Sequence, residues 1–382
     1  MHTLTSGPHT RVPAFSDLGL HPDLMRAVDE LGFEQPTAVQ TDTVPLAIAG
    51  RDVLACASTG SGKTAAFVLP ILQRLRTLQR GTTRALVLVP TRELAAQVVT
   101  HFTQLAKHTR VRAAAIYGGV GMSPQEDSLR RGVDVIVATP GRLLDHMQYN
   151  YAHLSGIEVL VLDEADRMLD MGFLPAIRRV LQHLPKAERQ TLFFSATMPA
   201  PIVALSRELL VLPALVNLER KATPAVGITH ALYPVESSRK VDLLIDLLHS
   251  GEIGNAIVFC RTKHRANRVA EKLTRAGIAS ERIHGNRSQS QRTSALAGFK
   301  RGTYRVLVAT DIVARGIDVT SLEHVVNFDV PNDADDYIHR VGRTGRMDAT
   351  GEAYTLVAPE EELTIRAIER ALGRRIERRK VR

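Results

Sequence analysis

Tryptophan is absent from the 382 residues, and cysteine occurs only twice, at Cys56 and Cys260. The two cysteines lie far apart and each falls within an apolar run, so we expect two buried thiols and no disulfide. No group of cysteine and histidine residues has the spacing of a zinc site, which excludes a structural zinc domain. Free thiols indicate a reducing compartment, and we therefore expect the protein in the cytoplasm.

Long hydrophobic runs are also missing. The first residues, MHTLTSGPHTRVPAFSDLG, lack the apolar segment of a secretion signal, and no later run approaches the ~20 residues of a membrane-spanning helix. We therefore expect no membrane partner. Because hydrophobic residues still make up 44% of the chain, the composition predicts a globular protein. A length of 382 residues is too great for one ordinary core, so we expect roughly two domains.

Acidic residues are too few to balance the basic ones, and the formal net charge is +9. The last ten residues, GRRIERRKVR, hold six basic and one acidic side chain and so carry +5 of that charge. Total charge is thus weak evidence for a nucleic-acid partner. We predict that residues 373–382 are a mobile tail that binds nucleic-acid phosphates and takes no part in chemistry. The alternative is a solvated extension of the final helix, and an ending within a basic run leaves open a longer chain.

Apolar strands, polar turns and amphipathic helices alternate through both halves. The predicted strands are DVLACA, ALVLVP, VDVIVAT, VLVLDE and TLFFSAT, then NAIVFC, YRVLVATD and HVVNFD. This alternation predicts parallel sheets, so the fold class is α/β with two similar domains in tandem. The charged stretch LVNLERKATPAVGITH interrupts the pattern and is typical of a linker. We predict domains over 1–215 and 228–372, a linker over 216–227 and the basic tail over 373–382.

The segment ASTGSGKT, which begins at Ala57, follows the first predicted strand and opens a helix. Glycine-rich loops in this context bind phosphates, because backbone N–H groups and the helix N-terminus face the anion. Lys63 would reach the β- and γ-phosphates, and Thr64 would reach Mg²⁺. Gly60 and Gly62 allow the tight backbone, although Ala57 stands where a first glycine is usual and a plain turn is the alternative. The predicted nucleotide-binding residues of this loop are Ala57, Ser58, Thr59, Gly60, Ser61, Gly62, Lys63 and Thr64.

Three acidic residues, Asp163, Glu164 and Asp166, follow the apolar run VLVL. No lysine or arginine stands beside the first two to pair with them. A helix N-cap is one explanation, and a metal site at the opening of a parallel strand is the other. The predicted phosphate-binding loop favours the metal site, because in nucleotide-hydrolysing enzymes with such a loop an aspartate on a later strand holds the Mg²⁺. Glu164 would then orient or deprotonate the attacking water.

A second basic group lies in HRVGRTGR, residues 339–346. Arg340, Arg343 and Arg346 are three apart, which predicts one face of a helix. Phosphoryl transfer builds up negative charge that an arginine supplied from elsewhere can neutralise. A solvated basic face is the alternative, although glycines among the arginines argue against a routine surface helix. We therefore predict that Arg343 and Arg346 are catalytic and that a cleft between the halves closes around ATP.

Eight motifs in order resemble those of the DEAD-box RNA helicases. They are ASTGSGKT, PTRELAAQ, TPGR, DEAD, SAT, IVFCRT, ATDIVARGIDV and HRVGRTGR, and the resemblance covers nearly the whole chain. The phrases MLDMGF, IHGNRSQ and VVNFDVP resemble the bacterial RhlE-type subgroup. The resemblance implies two tandem RecA-like domains, each with a mostly parallel sheet, that use ATP and Mg²⁺ and act on RNA.

The resemblance also assigns roles to individual residues. GFEQPTAVQ resembles the family's Q motif, in which Gln40 would read the adenine edge and Phe33 would stack on the base. Phe15 would brace this loop, and Asp318 would contact the ribose. The residues expected to couple nucleotide state to domain movement are Asp166, Ser195, Thr197 and His339. The residues expected to contact the RNA backbone are Arg92, Gly119, Thr139, Gly141, Arg142, Arg261, Thr262, Gly285 and Thr310.

The sequence therefore predicts an ATP-dependent RNA helicase that separates short duplexes or remodels RNA–protein complexes. Its domains would close on ATP and RNA, bend one strand, and reopen after hydrolysis. A related helicase acting on DNA is one rival interpretation, and a nucleic-acid scaffold with a vestigial ATPase is the other. Ribosome-assembly and RNA-decay complexes are the partners that such an enzyme would serve.

Overall fold

In the part of the chain that this computed structural model describes, seven parallel strands form each of two sheets, and the chain divides into one unit around each sheet. The structure describes residues 13–57, 60–77, 81–185, 189–217, 228–311, 322–344 and 351–379. The main division falls between residues 218 and 219, and the short segments 91–97 and 117–121 group with the second unit. The two parallel α/β sheets confirm the predicted fold class, while the domain limits remain a prediction.

The first sheet uses the apolar runs that the sequence marks as strands. Its strands are β1 (Val53–Cys56), β2 (Ala85–Leu88), β3 (Ala113–Ile116), β4 (Val135–Ala138), β5 (Val159–Leu162), β6 (Gln190–Ser195) and β7 (Ala214–Asn217). Their order is β3-β4-β2-β5-β6-β1-β7. All residues of β2, β4, β5 and β6 are buried, as expected for strands covered on both faces. Because β6 lies between β1 and β5, the loops that follow these three strands share one edge of the sheet.

Helices connect these strands, beginning with a 3₁₀ turn over Phe15–Leu18. They are α1 (Pro22–Glu30), α2 (Ala38–Ile48), α3 (Lys63–Leu75), α4 (Arg92–Leu105), α5 (Ser123–Arg130), α6 (Pro140–Met147), α7 (Ala165–Asp170), α8 (Leu174–Leu181) and α9 (Ala200–Leu209). Helix α3 is buried along most of its length, including Phe67 and Leu69. The loop that precedes α3 is therefore anchored in the core of the first unit.

The second unit repeats the arrangement. Its strands are β8 (Ile228–Pro234), β9 (Ala256–Phe259), β10 (Ser280–Ile283), β11 (Val306–Ala309), β12 (His324–Asn327), β13 (Gly351–Val357) and β14 (Glu377–Arg378), in the order β10-β11-β9-β12-β13-β8-β14. Its helices are α10 (Lys240–His249), α11 (Lys263–Arg275), α12 (Gln289–Lys300), α13 (Ala334–Val341) and α14 (Glu362–Leu372). Within the part of the chain that the structure describes, no helix combines the length and apolarity needed to cross a bilayer.

The two cysteines differ in their surroundings. Cys260 is buried as predicted, and burial raises the pKa of its thiol. Cys56 is only half-buried, so the prediction of a second buried thiol is wrong. Cys56 is the last residue of β1, on the side of the sheet where the parallel strands end. Its Sγ lies 3.4 Å from the carbonyl oxygen of Ala196.

The prediction of a mobile basic tail is wrong for residues 374–379. Helix α14 ends at Leu372, and Gly373 takes a left-handed conformation with φ 67° that redirects the chain. Ile376 is then buried, with 4% of its surface exposed. The next two residues form β14, which pairs with β8 at the edge of the second sheet. The segment is thus neither a tether nor an extension of the helix.

Ion pairs and backbone contacts fix the same segment. Arg378 pairs with Glu362 at 2.5 Å and with Glu369 at 3.4 Å. The backbone N–H of Arg379 donates to the carbonyl oxygen of Leu232 at 2.8 Å. Part of the positive charge that composition assigns to nucleic-acid binding is therefore neutralised within the second unit.

Ile376→Ala is expected to lower the free energy of unfolding of the second unit by about 2–3 kcal/mol, because it removes a buried side chain from the core. Urea unfolding of the full chain measures this change. Arg375→Ala is the matched control, since Arg375 is exposed next to Ile376. Equal unfolding midpoints for the two variants would show that the segment does not belong to the folded unit.

Candidate functional site

The phosphate loop and the start of α2 form one hydrogen-bonded assembly. Gln40 is buried, and its Oε1 accepts the backbone N–H of Thr37 at 3.0 Å. Its Nε2 donates to the carbonyl oxygen of Gly62 at 3.1 Å. Gly62 has φ 92°, and a Cβ there would lie 2.6 Å from Gln40 Nε2. Only glycine fits this position. Because Gln40 donates to the Gly62 carbonyl oxygen, the residue predicted to recognise adenine also holds the loop in place.

Lys63 begins α3 and lies over the loop. Its side chain is buried, and Nζ donates to the carbonyl oxygen of Ala57 at 2.7 Å. A phosphate oxygen could replace that carbonyl as the acceptor, because an ammonium group makes several hydrogen bonds. Gly60 has φ 87°, a second left-handed glycine in the loop. The loop residues with partly exposed side chains include Ser61 and Thr64.

The two aromatic residues of the predicted adenine site lie together. Phe15 and Phe33 have ring centroids 6.0 Å apart with an interplanar angle of 31°. Phe15 is buried within the 3₁₀ turn, whereas Phe33 is half-buried. Phe33 therefore keeps exposed surface that a base could cover, and Phe15 supports it from inside the unit.

Asp163 follows β5 on the edge of the sheet where β1 also ends. It is 3% exposed, and its Oδ1 accepts no hydrogen bond from any residue that the structure describes. Burial raises the pKa of Asp163 to about 6, even though the Lys63 ammonium lowers it. A buried carboxylate oxygen that lacks a donor among the described residues, within electrostatic reach of the Lys63 ammonium, suits a divalent cation. The residues present therefore fit Mg²⁺.

Glu164 has a left-handed backbone, with φ 53° and ψ 51°, which is uncommon for a residue other than glycine. It occupies the N-cap position of α7 but makes no side-chain capping hydrogen bond, so the capping explanation fails. Its Oε2 instead lies 3.2 Å from Nη1 of Arg167. The sequence interpretation missed this pair because it considered only adjacent residues, whereas a helix brings residue i+3 back towards residue i.

Asp166 links the loop after β5 to the loop after β6. Its Oδ2 accepts the N–H of Ala196 at 3.2 Å, the N–H of Thr197 at 2.7 Å and the Thr197 hydroxyl at 2.9 Å. Its own N–H donates to Ser195 Oγ at 3.2 Å. The Ser195 hydroxyl donates in turn to the carbonyl oxygen of Thr197 at 2.7 Å. Three of the predicted coupling residues thus form one network.

The arginines of the second unit differ from one another in their environment. Arg340 donates to both carboxylate oxygens of Asp311, at 2.5 and 2.8 Å, and is buried. Arg343 lies in the turn after α13, where its Nε donates to the carbonyl oxygen of His339 at 3.3 Å. The prediction of one shared helical face is wrong for Arg340 and Arg343, because the helix ends at Val341, with Gly342 as its C-cap, and Arg343 lies beyond it. The predicted site residues outside the described part of the chain are Ser58, Thr59, Asp318 and Arg346.

The predicted RNA-contacting residues of the N-terminal half follow three neighbouring strands. Arg92 follows β2, Gly119 follows β3 and Thr139 follows β4, so their loops share one edge of the sheet. Gly119 has φ 79°, and a Cβ there would lie 1.7 Å from Arg92 Nη1. Gly141 stands in the first turn of α6, where no atom lies within 4 Å of an added Cβ. Arg142 follows it, with its side chain 12% exposed.

The second sheet places the other predicted RNA contacts in the same way. Arg261 and Thr262 follow β9, Gly285 follows β10 and Thr310 follows β11, and these three strands are neighbours. The backbone N–H of Arg261 donates to Asp329 Oδ2 at 2.8 Å, while its side chain is half exposed. Each sheet therefore presents one row of loops with the residue types that bind a sugar–phosphate backbone.

These features of the first sheet define a P-loop nucleoside triphosphatase: a phosphate loop after β1, a buried aspartate after β5 and a lysine at the start of α3. The family models "DEAD/DEAH box helicase" and "Helicase conserved C-terminal domain" match residues 37–205 and 239–348. The chain belongs to the DEAD-box ATP-dependent RNA helicases, enzymes that hydrolyse ATP to remodel RNA.

Named relatives and solved structures cover almost the whole chain. The DEAD-box ATP-dependent RNA helicase CshA of Geobacillus kaustophilus is 44% identical over 96% of this chain and 78% of its own length. The CshA of Bacillus subtilis is 42% identical over 96% and 74%. S. cerevisiae Dbp5 bound to RNA and ADP BeF3 is 31% identical, covers 96% of this chain and 95% of its own, and has a TM-score of 0.85. Mss116 bound to ssRNA and UDP-BeF is 25% identical over 96% and 79%, with a TM-score of 0.87.

Proposed function

We propose that the enzyme binds ATP together with Mg²⁺ at the edge of the first sheet formed by the ends of β1, β5 and β6. The proposal rests on Oδ1 of buried Asp163, which lacks a hydrogen-bond partner among the described residues and lies within electrostatic reach of the Lys63 ammonium. Thr64 and Asp163 would hold the Mg²⁺, which when bound neutralises phosphate charge. Ala57 and Lys63 belong to the loop that encloses the phosphates, and an ammonium freed from the Ala57 carbonyl would bind their oxygens.

Glu164 is the proposed base. A carboxylate beside the phosphates can orient a water molecule and accept its proton as the water attacks. Arg343 and Arg346 of the second unit would neutralise the charge that develops on the transferring group. Because Arg340 is engaged with Asp311, it has a structural role instead.

Gln40 is the proposed selector of adenine over guanine. A glutamine amide has two N–H groups and two carbonyl lone pairs, and the contacts to Gly62 and Thr37 engage one of each. The remaining donor and acceptor match the adenine edge. Phe33 would stack on the base and Phe15 would support it, and Asp318 would contact the ribose.

RNA would lie across the two rows of loops, held by its phosphates and 2′-hydroxyl groups. Such contacts carry little sequence information, so the enzyme would accept many RNAs. The network of Asp166, Ser195 and Thr197 would relay nucleotide state to RNA binding, with His339 acting from the second unit. Bending of one strand would then separate short duplexes locally.

Gly119→Ala is expected to weaken RNA binding about 10-fold while ATP binding stays unchanged. The added methyl group conflicts with the positive φ and with the Arg92 guanidinium, which must move away from a phosphate that it would contact. Titration of labelled single-stranded RNA measures this loss. Gly121→Ala is the matched control, because its Cβ would meet no atom within 4 Å. Equal RNA affinities for both variants would contradict the proposed contact.

Several finer assignments are also proposals. The phrases MLDMGF, IHGNRSQ and VVNFDVP support an RhlE-type enzyme, although the curated relatives above carry the name CshA. We propose a cytoplasmic enzyme on the basis of its free thiols. Ribosome-assembly and RNA-decay complexes are the proposed partners.

Turnover of ATP with and without RNA tests the proposed function. We expect RNA to stimulate hydrolysis and single-stranded DNA of the same sequence to replace it poorly. Equal stimulation by DNA would favour the DNA helicase, and binding of RNA without turnover would favour the vestigial ATPase.

A further inference from the structure

One buried charge of the first unit has no role in the chemistry proposed so far. Arg167 in α7 is 0% exposed, and Nη1 of its guanidinium pairs with Glu164 Oε2 at 3.2 Å. Its Nε and Nη2 find no hydrogen-bond partner among the residues described. Burying this guanidinium costs stability, because the ion pair with Glu164 and the attraction of Asp163 only partly offset the desolvation of its charge. The arginine is therefore poorly explained as a device that stabilises the fold.

The backbone conformation of Glu164 indicates that the ion pair restrains its side chain. Its left-handed conformation is disfavoured for glutamate and lies at the start of a helix of only six residues. A glutamate side chain has several rotatable bonds, so its carboxylate needs a restraint if it is to meet a water molecule in one orientation. The guanidinium supplies that restraint with a directed, charge-assisted hydrogen bond.

The backbone of Arg167 is also tied to the coupling network. Its N–H donates to Asp166 Oδ1 at 3.1 Å, and the other oxygen of that carboxylate binds Thr197. A chain of contacts therefore runs from the loop after β6 through Asp166 and Arg167 to the Glu164 carboxylate. A shift of that loop would change the position of the base.

We propose that Arg167 is a positioning residue, which holds the Glu164 carboxylate in the orientation needed for water attack and does not itself touch ATP. The inference rests on the proposed role of Glu164 as the base. It assigns to Arg167 an effect on turnover and none on the binding of either substrate.

A double-mutant cycle between Arg167→Met and Glu164→Gln tests this assignment in the full chain. With saturating RNA, single-turnover hydrolysis by Arg167→Met is expected to be about 10- to 100-fold slower than that of the wild type. The KM for ATP and the Kd for RNA should stay within about twofold. In the Glu164→Gln background, the same substitution should leave the residual rate unchanged, because the group it positions is already gone. Arg167→Lys should recover part of the rate.

Arg178→Met is the matched control, since Arg178 makes an exposed ion pair with Glu208 in the same unit. Equal fold losses from Arg167→Met in both backgrounds would overturn the inference, as would wild-type turnover in that variant. If Arg167→Met does not fold, the cycle is run with Arg167→Gln, and the same comparison decides. If the wild type shows RNA-stimulated turnover and the losses from Arg167→Met and Glu164→Gln are additive, only the proposed role of Arg167 is contradicted. A wild type without turnover contradicts the proposed function and this inference with it.

Discussion

Glu164→Gln is expected to bind ATP and RNA normally while its turnover falls by about 10²–10⁴-fold. The substitution keeps the size of the side chain and its ability to accept a hydrogen bond from Arg167, but it removes the group that takes the proton. The buried position of Glu164 makes replacement by a bulk base ineffective, because water reaches little of the side chain.

Steady-state hydrolysis and equilibrium binding of a fluorescent ATP analogue together measure this effect. Glu208→Gln is the control, since it makes the same chemical change at an exposed carboxylate of the first unit. Near-normal turnover in Glu164→Gln would remove the base from the mechanism. Loss of ATP binding would instead assign Glu164 to the nucleotide pocket.

Arg343→Ala is expected to lower kcat by about 10³-fold with little change in the affinity for ATP. An arginine that acts on the transferring phosphoryl group binds the transition state far better than the ground state, so its loss appears in kcat. Arg343→Lys should recover little, because a single ammonium group cannot reproduce the planar fork of a guanidinium.

Turnover and ATP binding, measured for variants of the 382-residue chain, show separately the effects on kcat and on the affinity for ATP. Because Arg343 is buried, thermal unfolding of each variant must accompany the kinetics. Arg275→Ala is the control at an exposed arginine of the same unit. A parallel loss of ATP binding and turnover would contradict a role confined to the transition state.

Most central strands were predictable, whereas the edge strands and the interior strands β8 and β13 were not. Strands such as β2 and β5 are buried on both faces, so they appear in the sequence as unbroken apolar runs. Strand β10 lies at an edge, where its sequence SERI leaves charged side chains partly exposed, and apolar patterning does not mark it. Strand β7, also at an edge, begins within the predicted N-terminal domain and reaches into the predicted linker.

Some parts of the candidate site were predictable from the sequence and others were not. Residues in short motifs, such as Lys63 and Asp163, were identifiable because phosphate and metal binding require particular side chains at fixed spacing. The pairing of Arg167 with Glu164 was not, since it depends on where a six-residue helix starts. The docking of residues 374–379 was missed for a related reason, because one buried isoleucine outweighs the surrounding charges.

The contact between Gln40 and Gly62 has a consequence for how the enzyme rejects other nucleotides. The Gln40 amide, which would recognise the base, is hydrogen-bonded to the backbone of Gly62 in the loop that would enclose the phosphates. No side chain larger than hydrogen fits at Gly62. A purine that draws the amide away would disturb the phosphate-binding loop as well. Discrimination would then appear as slow turnover of a bound but misaligned nucleotide. Separate assays with ATP alone and with GTP alone, each at a saturating concentration, would reveal such fidelity, since an enzyme that selects only by affinity turns over both nucleotides equally fast once it is saturated.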